Sequence, residues 1–399
     1  MITDDNTMNI LILSQVFPPK RGGVQTAAYN TAKFLSNYGH NVIVVTSKWA
    51  DEKRKFHKMD NFLVYRFKSY NPPEIKGITQ ISSLRFNPIM LFKLPKIIKR
   101  HNIQLIHAQG RLFPISWLTT IMNKIVFKRP MFLNVQGRLE VGISGKIENV
   151  FDQIITKHIY QKILKKIICV SNSLKERLIK LNIKEEKIIV IPNGVDINQF
   201  KKIPNSNFFN NYLNGKRNYK KVIFVGRLDA QKGVEYLIRV IPDVIKEYNN
   251  VHFFILGNGN LENMLKRLTK ELNIGEYVTF LDMIPLEKMV EFYSSADIFC
   301  LPSIHEGFPL SIAEALSIGL TIVASSTEGI PEAIIENKNG FLFPPRNIPE
   351  LKKKLIKALS LNDNQIKELS QNNIKLAKND YSWEKIVKNI INVYKENLY

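Results

Sequence analysis

Short apolar runs alternate with amphipathic segments along most of the chain. The segment Val24 to Tyr38, for example, has apolar residues at helical spacing and lies between two runs that are apolar enough to be buried strands. This alternation predicts an α/β fold with parallel sheets, because a helix returns the chain to the start of each parallel strand. In the first half the predicted strands are Asn9–Leu13, Asn41–Thr46, Phe62–Phe67, Ile103–His107, Met131–Val135, Ile167–Ser171 and Ile188–Ile191.

Residues 198–220 are rich in asparagine and lysine and interrupt this pattern, as a connector between domains does. A second series follows, with predicted strands at Lys221–Val225, His252–Leu256, Tyr277–Leu281, Ile298–Leu301 and Thr321–Ala324. Its predicted helices are Gly233–Tyr248, Leu261–Leu272, Leu286–Ser294 and Pro309–Ile318. We therefore predict two doubly wound Rossmann-like domains, residues 1–197 and 198–377, that face each other across a cleft. Ligands of such sheets bind at the carboxyl ends of the strands.

Positive charge is concentrated in the first half of the chain. The 399 residues include 57 Lys and Arg against 35 Asp and Glu, a formal net charge of +22. Residues 1–200 contribute 31 basic and 13 acidic side chains, whereas residues 201–399 contribute 26 and 22. This asymmetry indicates that the first half faces an anionic partner: a nucleic acid, an anionic membrane or a phosphorylated substrate.

The sequence disfavours several classes of protein. No run of 18 apolar residues is free of charge, so a transmembrane helix is not predicted. Asp4 and Asp5 stand where a secretory leader would be basic. The two cysteines, Cys169 and Cys300, lie in strand-like runs, which predicts buried thiols and excludes a disulfide framework and a cysteine zinc site. We therefore expect a cytoplasmic protein.

The sequence HEGFPLSIAE follows a predicted strand and opens a helix. Pro309 suits the first helical position, so the amides of Leu310 and Ser311 would point out of the helix N-terminus, where a phosphate can bind. Glu306 precedes the helix, and Glu314 lies roughly 7.5 Å further along its axis. Carboxylates at this separation can accept hydroxyl hydrogen bonds from two parts of one extended ligand, such as two sugars joined by a diphosphate. The alternative is a helix-terminal charge at Glu306 and a solvated Glu314.

Two glycine-containing turns offer further phosphate contacts. Arg227 and Lys232 lie between a predicted strand and Gly233, and their cations could reach a diphosphate. The alternative for this pair is two solvated surface cations. Gly22 and Gly23 follow the first strand and either permit close approach of the backbone to a phosphate or sugar, or form a tight strand-to-helix turn.

Other chemistries find little support in the sequence. The sequence LGNGNLE has Glu262 where a dinucleotide-binding loop needs glycine or alanine, and it forms either a helix-capping turn or a loop beside the ligand. No Gly-x-Ser-x-Gly elbow occurs, and no His, Asp and Glu residues have metal-ligand spacing. We therefore expect neither a metal nor a resident cofactor.

Taken in order, these motifs resemble those of glycosyltransferase family 4, which are retaining enzymes with the GT-B fold. The resemblance covers nearly the whole chain. It is carried by Gly22-Gly23, Ile106-His107-Ala108, Ile191 to Asp196, Val225 to Gly233, Glu306 to Glu314 and Gly329-Ile330-Pro331-Glu332. It implies that the last helix, about residues 378–399, crosses back onto the N-terminal domain.

The resemblance implies a nucleotide sugar on the C-terminal domain and an acceptor on the N-terminal domain. Glu306, together with Gly307 and the backbone amides around Phe308, would hold the hydroxyls of the donor sugar. Glu314 would hold the ribose hydroxyls, and the backbone near Met283 would touch the base. The nucleotide sugar would be a co-substrate linked to UDP or GDP.

The resemblance also implies how the diphosphate is stabilised as it leaves. Arg227 and Lys232 would neutralise its charge without a metal, and Gly22 and Gly23 would close over it from the other domain. The acceptor would attack from the front face, and the departing phosphate oxygen would take its proton.

The sequence departs from the family pattern on the acceptor side. Many members have His-x-His where His107-Ala108-Gln109 stands, and histidine where Gln136 stands. Gln136 can hydrogen-bond a sugar hydroxyl but cannot carry a proton. His107, Gln136 and Asn193 are the candidates for contacts with the acceptor or the sugar, and His107, at a predicted strand end, is either structural or at the ligand edge.

Two stretches of the N-terminal domain, Ile89 to Arg100 and Lys146 to Lys166, combine apolar and basic residues. This pattern suits a helix lying on anionic lipid, with ordinary core helices carrying solvated lysines as the alternative. Pro95 interrupts the first stretch and predicts a kink there. We therefore expect a lipid-linked or cell-envelope glycan as acceptor and peripheral association with the inner face of the cell membrane.

Two other functions remain open. A basic nucleic-acid-binding protein would explain the net charge but not the two glutamates, so no nucleic-acid partner is expected. A nucleotide-sugar epimerase on the same fold would form its product without any acceptor.

Overall fold

The computed structural model describes residues 7–19, 22–48, 52, 54–69, 88–137, 148–213 and 218–398. They form two compact units, Met1–Pro192 with Trp383–Tyr399, and Asn193–Ser382. Asp4, Asp5 and Lys146, which the sequence analysis names, lie outside the described residues.

The boundaries between the units differ from the predicted positions 197 and 377 by five residues at each end. The amide of Asn193 donates a hydrogen bond to the carbonyl oxygen of Phe308 at 3.1 Å. Val195 pairs with Ser382 in an isolated β-bridge. These contacts place residues 193–197 and residues 378–382 in the second unit.

The first unit contains an eight-stranded sheet with the order β3-β4-β2-β1-β5-β6-β7-β8. Its strands are Asn9–Ser14 (β1), Asn41–Lys48 (β2), Phe56–Met59 (β3), Phe62–Lys68 (β4), Leu105–Gln109 (β5), Met131–Val135 (β6), Lys166–Cys169 (β7) and Ile188–Val190 (β8). Only the edge pair β3–β4 is antiparallel, and the other neighbours are parallel as the sequence pattern predicts.

Helices connect the strands of the first unit, and one helix at the chain end belongs to it. They are Gly23–Asn37 (α1), Pro88–Arg100 (α2), Pro114–Met122 (α3), residues 148–163 (α4), Asn172–Lys180 (α5) and Trp383–Leu398 (α13). Asn123–Phe127 continue α3 as a π-helical turn, and Asp152–Tyr160 within α4 are also π-helical. Helix α2 runs through Pro95 as one continuous element.

Helix α13 packs on α1, as the resemblance implies for the last helix. The ring of Trp383 stacks on that of Phe34 with centroids 6.4 Å apart. Tyr394 is fully buried and packs against Phe132 of β6 with ring centroids 4.8 Å apart. The end of the chain therefore completes the core of the first unit.

The second unit contains a six-stranded parallel sheet with the order β11-β10-β9-β12-β13-β14. Its strands are Lys220–Val225 (β9), Val251–Leu256 (β10), Val278–Leu281 (β11), Ile298–Leu301 (β12), Thr321–Ser325 (β13) and Phe341–Phe343 (β14). Its helices are Val234–Glu247 (α6), Glu262–Glu271 (α7), Leu286–Ser294 (α8), Leu310–Ile318 (α9), Ile330–Ala333 (α10), Ile348–Leu359 (α11) and Asp363–Asp380 (α12). The strand order reverses between β9 and β12, which is where doubly wound sheets bind ligands.

No helix among the described residues combines the length and the apolar character needed to span a bilayer. Both cysteines are fully buried, as predicted, and burial raises the pKa of the Cys169 thiol to about 12.

The loop after β10 supports the loop after β9 through direct backbone packing. The amide of Leu228 donates to the carbonyl oxygen of Asn258 at 2.9 Å, and the amide of Gly226 donates to that of Leu256 at 3.1 Å. Gly257 has φ +142, and a Cβ added there would lie 1.9 Å from the oxygen of Gly226. The structure therefore favours a supporting role for the LGNGNLE sequence, in which its glycines allow the two backbones to approach.

We expect Gly257→Ala to destabilise the second unit by about 3 kcal/mol or more, because the added methyl group meets backbone that cannot rotate away. Gly275→Ala is the matched control, since its added Cβ meets nothing within 4 Å. Thermal unfolding followed by circular dichroism measures both variants. Equal unfolding midpoints for the two would contradict this account of the loop.

Candidate active site

The loops that follow β9 and β12 are joined by hydrogen bonds next to the point where the strand order reverses. The amide of Ile304 donates to the carbonyl oxygen of Gln231 at 2.7 Å. The side-chain amide of Gln231 donates to the carbonyl oxygen of His305 at 2.9 Å. Gly233 makes the close packing possible, because it has φ +63 and a Cβ there would lie 2.1 Å from the oxygen of Pro302. The two predicted motifs therefore form one local structure.

Lys232 and Glu306 form an ion pair at the centre of this structure. The lysine ammonium contacts Oε1 of Glu306, and the hydroxyl of Ser303 donates to the same oxygen at 3.1 Å. The side chains of Lys232 and Glu306 are only 15% and 8% exposed. The pair is therefore largely shielded from water but not fully buried. A ligand that reaches it can replace the ammonium as the partner of the carboxylate, and the carboxylate as the partner of the ammonium.

Arg227 lies beside this pair in the sequence but is held more loosely. Its Nη1 contacts Oδ2 of Asp229 at 2.9 Å, and its side chain is 51% exposed. Asp229 also accepts a hydrogen bond from the amide of Lys232 at 3.2 Å and so caps the short helical turn Ala230–Lys232. The guanidinium is therefore a half-exposed cation on a well-anchored turn.

Helix α9 begins one residue later than predicted. Pro309 has extended backbone angles and is the N-cap, and not the first helical residue, so Leu310 is the first. Among the residues that the structure describes, no acceptor contacts the amides of Leu310 and Ser311. The amides expected to face a phosphate are therefore available, and the positive end of the helix dipole favours an anion there.

Glu314 lies on the second turn of α9 and is paired with a buried tyrosine. The hydroxyl of Tyr293, on α8, donates to Oε2 of Glu314 at 2.7 Å. Burial raises the pKa of Glu314 to about 7, although the hydrogen bond from Tyr293 opposes this shift. Glu314 is thus a carboxylate whose charge changes near neutral pH, and it is not the freely solvated side chain of the alternative interpretation.

The remaining donor-side candidates also belong to the second unit. Phe308 is buried, its ring lies 4.9 Å from that of Tyr381, and its carbonyl oxygen binds Asn193. Asn193 therefore supports the segment around Gly307 in the structure. Met283 lies in the loop after β11 with its side chain 43% exposed.

The acceptor-side candidates belong to the first unit, apart from Asn193. His107 does not end its strand as predicted, because β5 extends two residues further to Gln109. The histidine is fully buried, shares a hydrogen bond with Tyr394, and lies 3.5 Å from the amide of Gln109. Burial lowers the pKa of His107 to about 3. The structure therefore favours a structural role for His107.

Gln136 directly follows β6 and is partly buried at the carboxyl edge of the sheet. Gly22 is the N-cap of α1, with φ +151, and Gly23 is its first residue. Gln136 thus follows β6, and Gly22 and Gly23 follow β1, in the order that the sequence predicts.

Three residues of the site were not predicted from the sequence: Tyr293, Ser303 and Gln231. Tyr293 lies in an amphipathic helix and resembles any core aromatic residue. Ser303 and Gln231 act through loop contacts that only the structure reveals. Within the described part of the chain, no three His, Cys, Asp or Glu side chains are close enough to hold a metal ion.

Comparison with protein families gives two matches that together cover most of the chain. The model for glycosyl transferases group 1 matches residues 207–380, and the model for glycosyltransferase family 4 matches residues 21–199. An uncharacterised glycosyltransferase of Methanocaldococcus jannaschii is 28% identical over 97% of this chain and 98% of its own length.

One further relative and one solved structure are informative. The GPI3 subunit of the phosphatidylinositol N-acetylglucosaminyltransferase of Saccharomyces cerevisiae is 24% identical over 97% of this chain and 82% of its own length. The crystal structure of Anabaena HepE in complex with UDP-glucose superposes with a TM-score of 0.76 at 20% identity, covering 98% of this chain and 100% of that one. The structural match establishes the similarity of the fold.

We expect the stability of the protein to depend on the ionisation of Glu314. Because the folded state raises the pKa of this carboxyl from 4.5 to about 7, the folded state binds the proton more tightly than the unfolded state does. The free energy of unfolding should therefore fall as the pH rises through this window, by on the order of 1–3 kcal/mol.

Glu314→Gln removes this titration, so the stability of this variant relative to the unmodified protein should increase as the pH rises from 4.5 to 7. Unfolding midpoints measured across this range test the expectation, with the exposed Glu276→Gln as control. A stability difference that stays constant with pH would contradict it.

Proposed function

The chain belongs to the group 1 glycosyltransferases and has the GT-B fold, and from this premise we propose that it moves a sugar from a UDP- or GDP-linked donor to an acceptor hydroxyl with retention of configuration. The observation that carries the proposal is the arrangement at the end of β12. The Lys232–Glu306 ion pair, the available amides of α9 and the Glu314–Tyr293 pair lie on consecutive segments of one small region. Together they offer a cation, an anion site and two carboxylates that can accept hydrogen bonds from hydroxyl groups. These are the groups that a nucleotide sugar requires.

The Lys232–Glu306 pair suggests how the donor is accepted. Before binding, each side chain satisfies the charge of the other. An incoming diphosphate, placed at the amides of Leu310 and Ser311, attracts the ammonium of Lys232 and is reinforced by Arg227. The carboxylate of Glu306 is then released to accept hydrogen bonds from the sugar hydroxyls, and Ser303 keeps it oriented. Donor binding thus replaces one internal ion pair with two ligand contacts.

Glu314 has a separate role in this proposal. Its ionised carboxylate accepts hydrogen bonds from the ribose hydroxyls, and the tyrosine hydroxyl holds it in position. The exposed loop that contains Met283 lies near the base. The crystal structure of HepE contains UDP-glucose, which supports a nucleotide sugar here.

None of the three acceptor-side candidates is suited to take the proton of the acceptor hydroxyl. His107 is buried with its pKa lowered to about 3, and neither Gln136 nor Asn193 can take a proton. We therefore assign this step to the leaving group: the bond from C1 to the phosphate oxygen breaks, C1 bonds to the acceptor oxygen on the same face, and the hydroxyl proton passes to the departing phosphate. Charge that develops on the diphosphate is stabilised by Lys232 and Arg227 without a metal.

The acceptor that we propose is a lipid-linked or cell-envelope glycan, reached from the cytoplasmic side of the membrane. The yeast relative is named for N-acetylglucosamine transfer to phosphatidylinositol, which is a lipid. The excess of basic residues in the first half of the chain also suits an anionic acceptor. These two observations support the proposal from independent directions.

Binding of nucleotides and nucleotide sugars by calorimetry tests the donor site. We expect one of UDP and GDP to bind, and Glu314→Gln to weaken that nucleotide about tenfold to a hundredfold, because each hydrogen bond to a charged group contributes about 1.5–3 kcal/mol. Glu306→Gln should instead weaken the nucleotide sugar more than the nucleotide alone. The exposed Glu276→Gln serves as the control and should bind both normally.

A folded protein that binds no nucleotide would overturn the proposed donor site. If it instead shifts DNA or RNA in a salt-dependent manner, the function is nucleic-acid binding. Isomerisation of the sugar nucleotide without any acceptor would identify an epimerase.

The chelator EDTA tests the metal-independent mechanism. We expect donor turnover to continue at an unchanged rate in EDTA, and Lys232→Gln to slow it by about two to three orders of magnitude through loss of leaving-group stabilisation. Turnover that stops in EDTA and returns with added Mg²⁺ or Mn²⁺ would show that a metal neutralises the diphosphate instead.

A further inference from the structure

Two neighbouring segments of the first unit leave large apolar side chains in solvent. On α2, Ile89 is 52% exposed and Phe92 is 75% exposed. On the π-helical turn that follows α3, Ile125 is 70% exposed and Val126 is 53% exposed. Helix α2 packs against this turn, so the two segments form one surface, which we call the α2 face.

Helix α2 has two distinct sides. Its buried side consists of Met90, Leu94, Ile97 and Ile98, which complete the core of the unit. Along the other side, exposed residues recur at helical spacing: Ile89, Phe92, Lys93, Lys96 and Lys99. Pro88 and Arg100, at the two ends of the helix, are also exposed. Core packing therefore explains the first set but not Phe92, which is apolar and mostly exposed.

The α2 face is also strongly and uniformly basic. No Asp or Glu occurs between residues 75 and 139 of the sequence. Besides the buried Arg111, the described part of this span contains seven basic residues: Lys93, Lys96, Lys99, Arg100, Lys124, Lys128 and Arg129. A groove of about 250 Å³ lies between α2 and the turn, with Lys99 and Arg129 at its polar edge and Pro95, Ile98 and Phe127 among its apolar lining. The face therefore complements an anion that also carries apolar groups.

We propose that the α2 face docks on an anionic lipid bilayer, with Phe92 and Ile125 inserted among the acyl chains and the surrounding lysines at the headgroup phosphates. Long lysine side chains can reach the headgroups while apolar neighbours enter the hydrocarbon. A nucleic acid would use the cations but would gain nothing from exposed isoleucine and valine. This inference deepens the lipid-acceptor part of the proposed function and does not depend on the donor site.

The second basic stretch predicted from the sequence belongs to a separate helix, α4, on which Val150 is 60% exposed and Ile154 is 56% exposed. The first turn of α4 is held by buried ion pairs, in which Arg111 contacts Glu148 and Asp152. Arg177 adds contacts to the same carboxylates at 3.0 and 3.1 Å. This part of α4 is therefore anchored within the unit by its own charges.

Co-sedimentation of the full chain with phospholipid vesicles at low salt tests the proposal. We expect binding to vesicles that contain phosphatidylglycerol and little binding to phosphatidylcholine alone. The triple variant Lys93→Gln/Lys96→Gln/Lys99→Gln should weaken binding on the order of 100-fold, because each cation near the surface contributes about fivefold. Phe92→Gln/Ile125→Gln should weaken it by at least about tenfold.

Matched controls separate this face from general effects of charge and hydrophobicity. Lys367→Gln/Lys375→Gln/Lys378→Gln removes three exposed lysines from α12 of the second unit, and Ile374→Gln changes an exposed isoleucine on the same helix. Both should bind vesicles as the unmodified protein does. Nucleotide binding should be unchanged in all these variants, which distinguishes failure of the face from failure of the donor site.

Absence of binding to phosphatidylglycerol vesicles would overturn the proposal. So would binding that the α2 variants and the α12 variants weaken equally, because the effect would then follow net charge and not this face.

Discussion

The hydrogen bonds and the ion pair that join the loops after β9 and β12 are the constraint on which the candidate site depends. Gln231 bonds Ile304 and His305, and Lys232 meets Glu306. These contacts are possible because the two strands are neighbours at the point where the strand order reverses. Segments more than 70 residues apart in sequence are therefore held together, and the N-terminus of α9 is fixed beside them.

The same constraint links the site to the chemistry that we propose. When an ion pair is largely shielded from water, removal of either partner leaves an uncompensated charge, which is strongly unfavourable. A diphosphate sugar supplies a replacement partner to each side at once, an anion for Lys232 and hydroxyl groups for Glu306. A free phosphate would satisfy only the lysine. The arrangement therefore selects for a ligand that combines both groups.

The two units divide the tasks by charge. The second unit contains the paired and buried ionisable groups of the donor site, whereas the first unit contributes most of the net positive charge. The first unit does not offer His107 as a base, because this histidine is fully buried in the core. The leaving diphosphate is then the base that the proposed reaction uses.

Periodicity in the sequence predicts the elements that have a strong local signal. Helix α8 and strand β12 have the predicted limits, and the β/α order of both units follows the pattern. Strands β3 and β14 were missed because they are short edge strands, of four and three residues. Pro95 does not end α2, and the apolar side of the helix is buried on both sides of the proline.

The site was predictable where a residue acts through its position after a strand. Glu306, Lys232 and Glu314 are of this kind, and the structure brings the first two into contact. Tyr293 and Ser303 were not predictable, because they act through tertiary contacts with no sequence spacing. The sequence predicts that His107 ends its strand, but β5 continues for two more residues. The side chain therefore lies in the core and not at the edge of the sheet.

A crystal structure of the protein with its nucleotide sugar would test the central claim most directly. The account predicts the diphosphate at the amides of Leu310 and Ser311, the ribose on Glu314, and the ammonium of Lys232 moved from Glu306 to a phosphate oxygen. A nucleotide bound elsewhere, or one bound here with the Lys232–Glu306 pair intact, would contradict it.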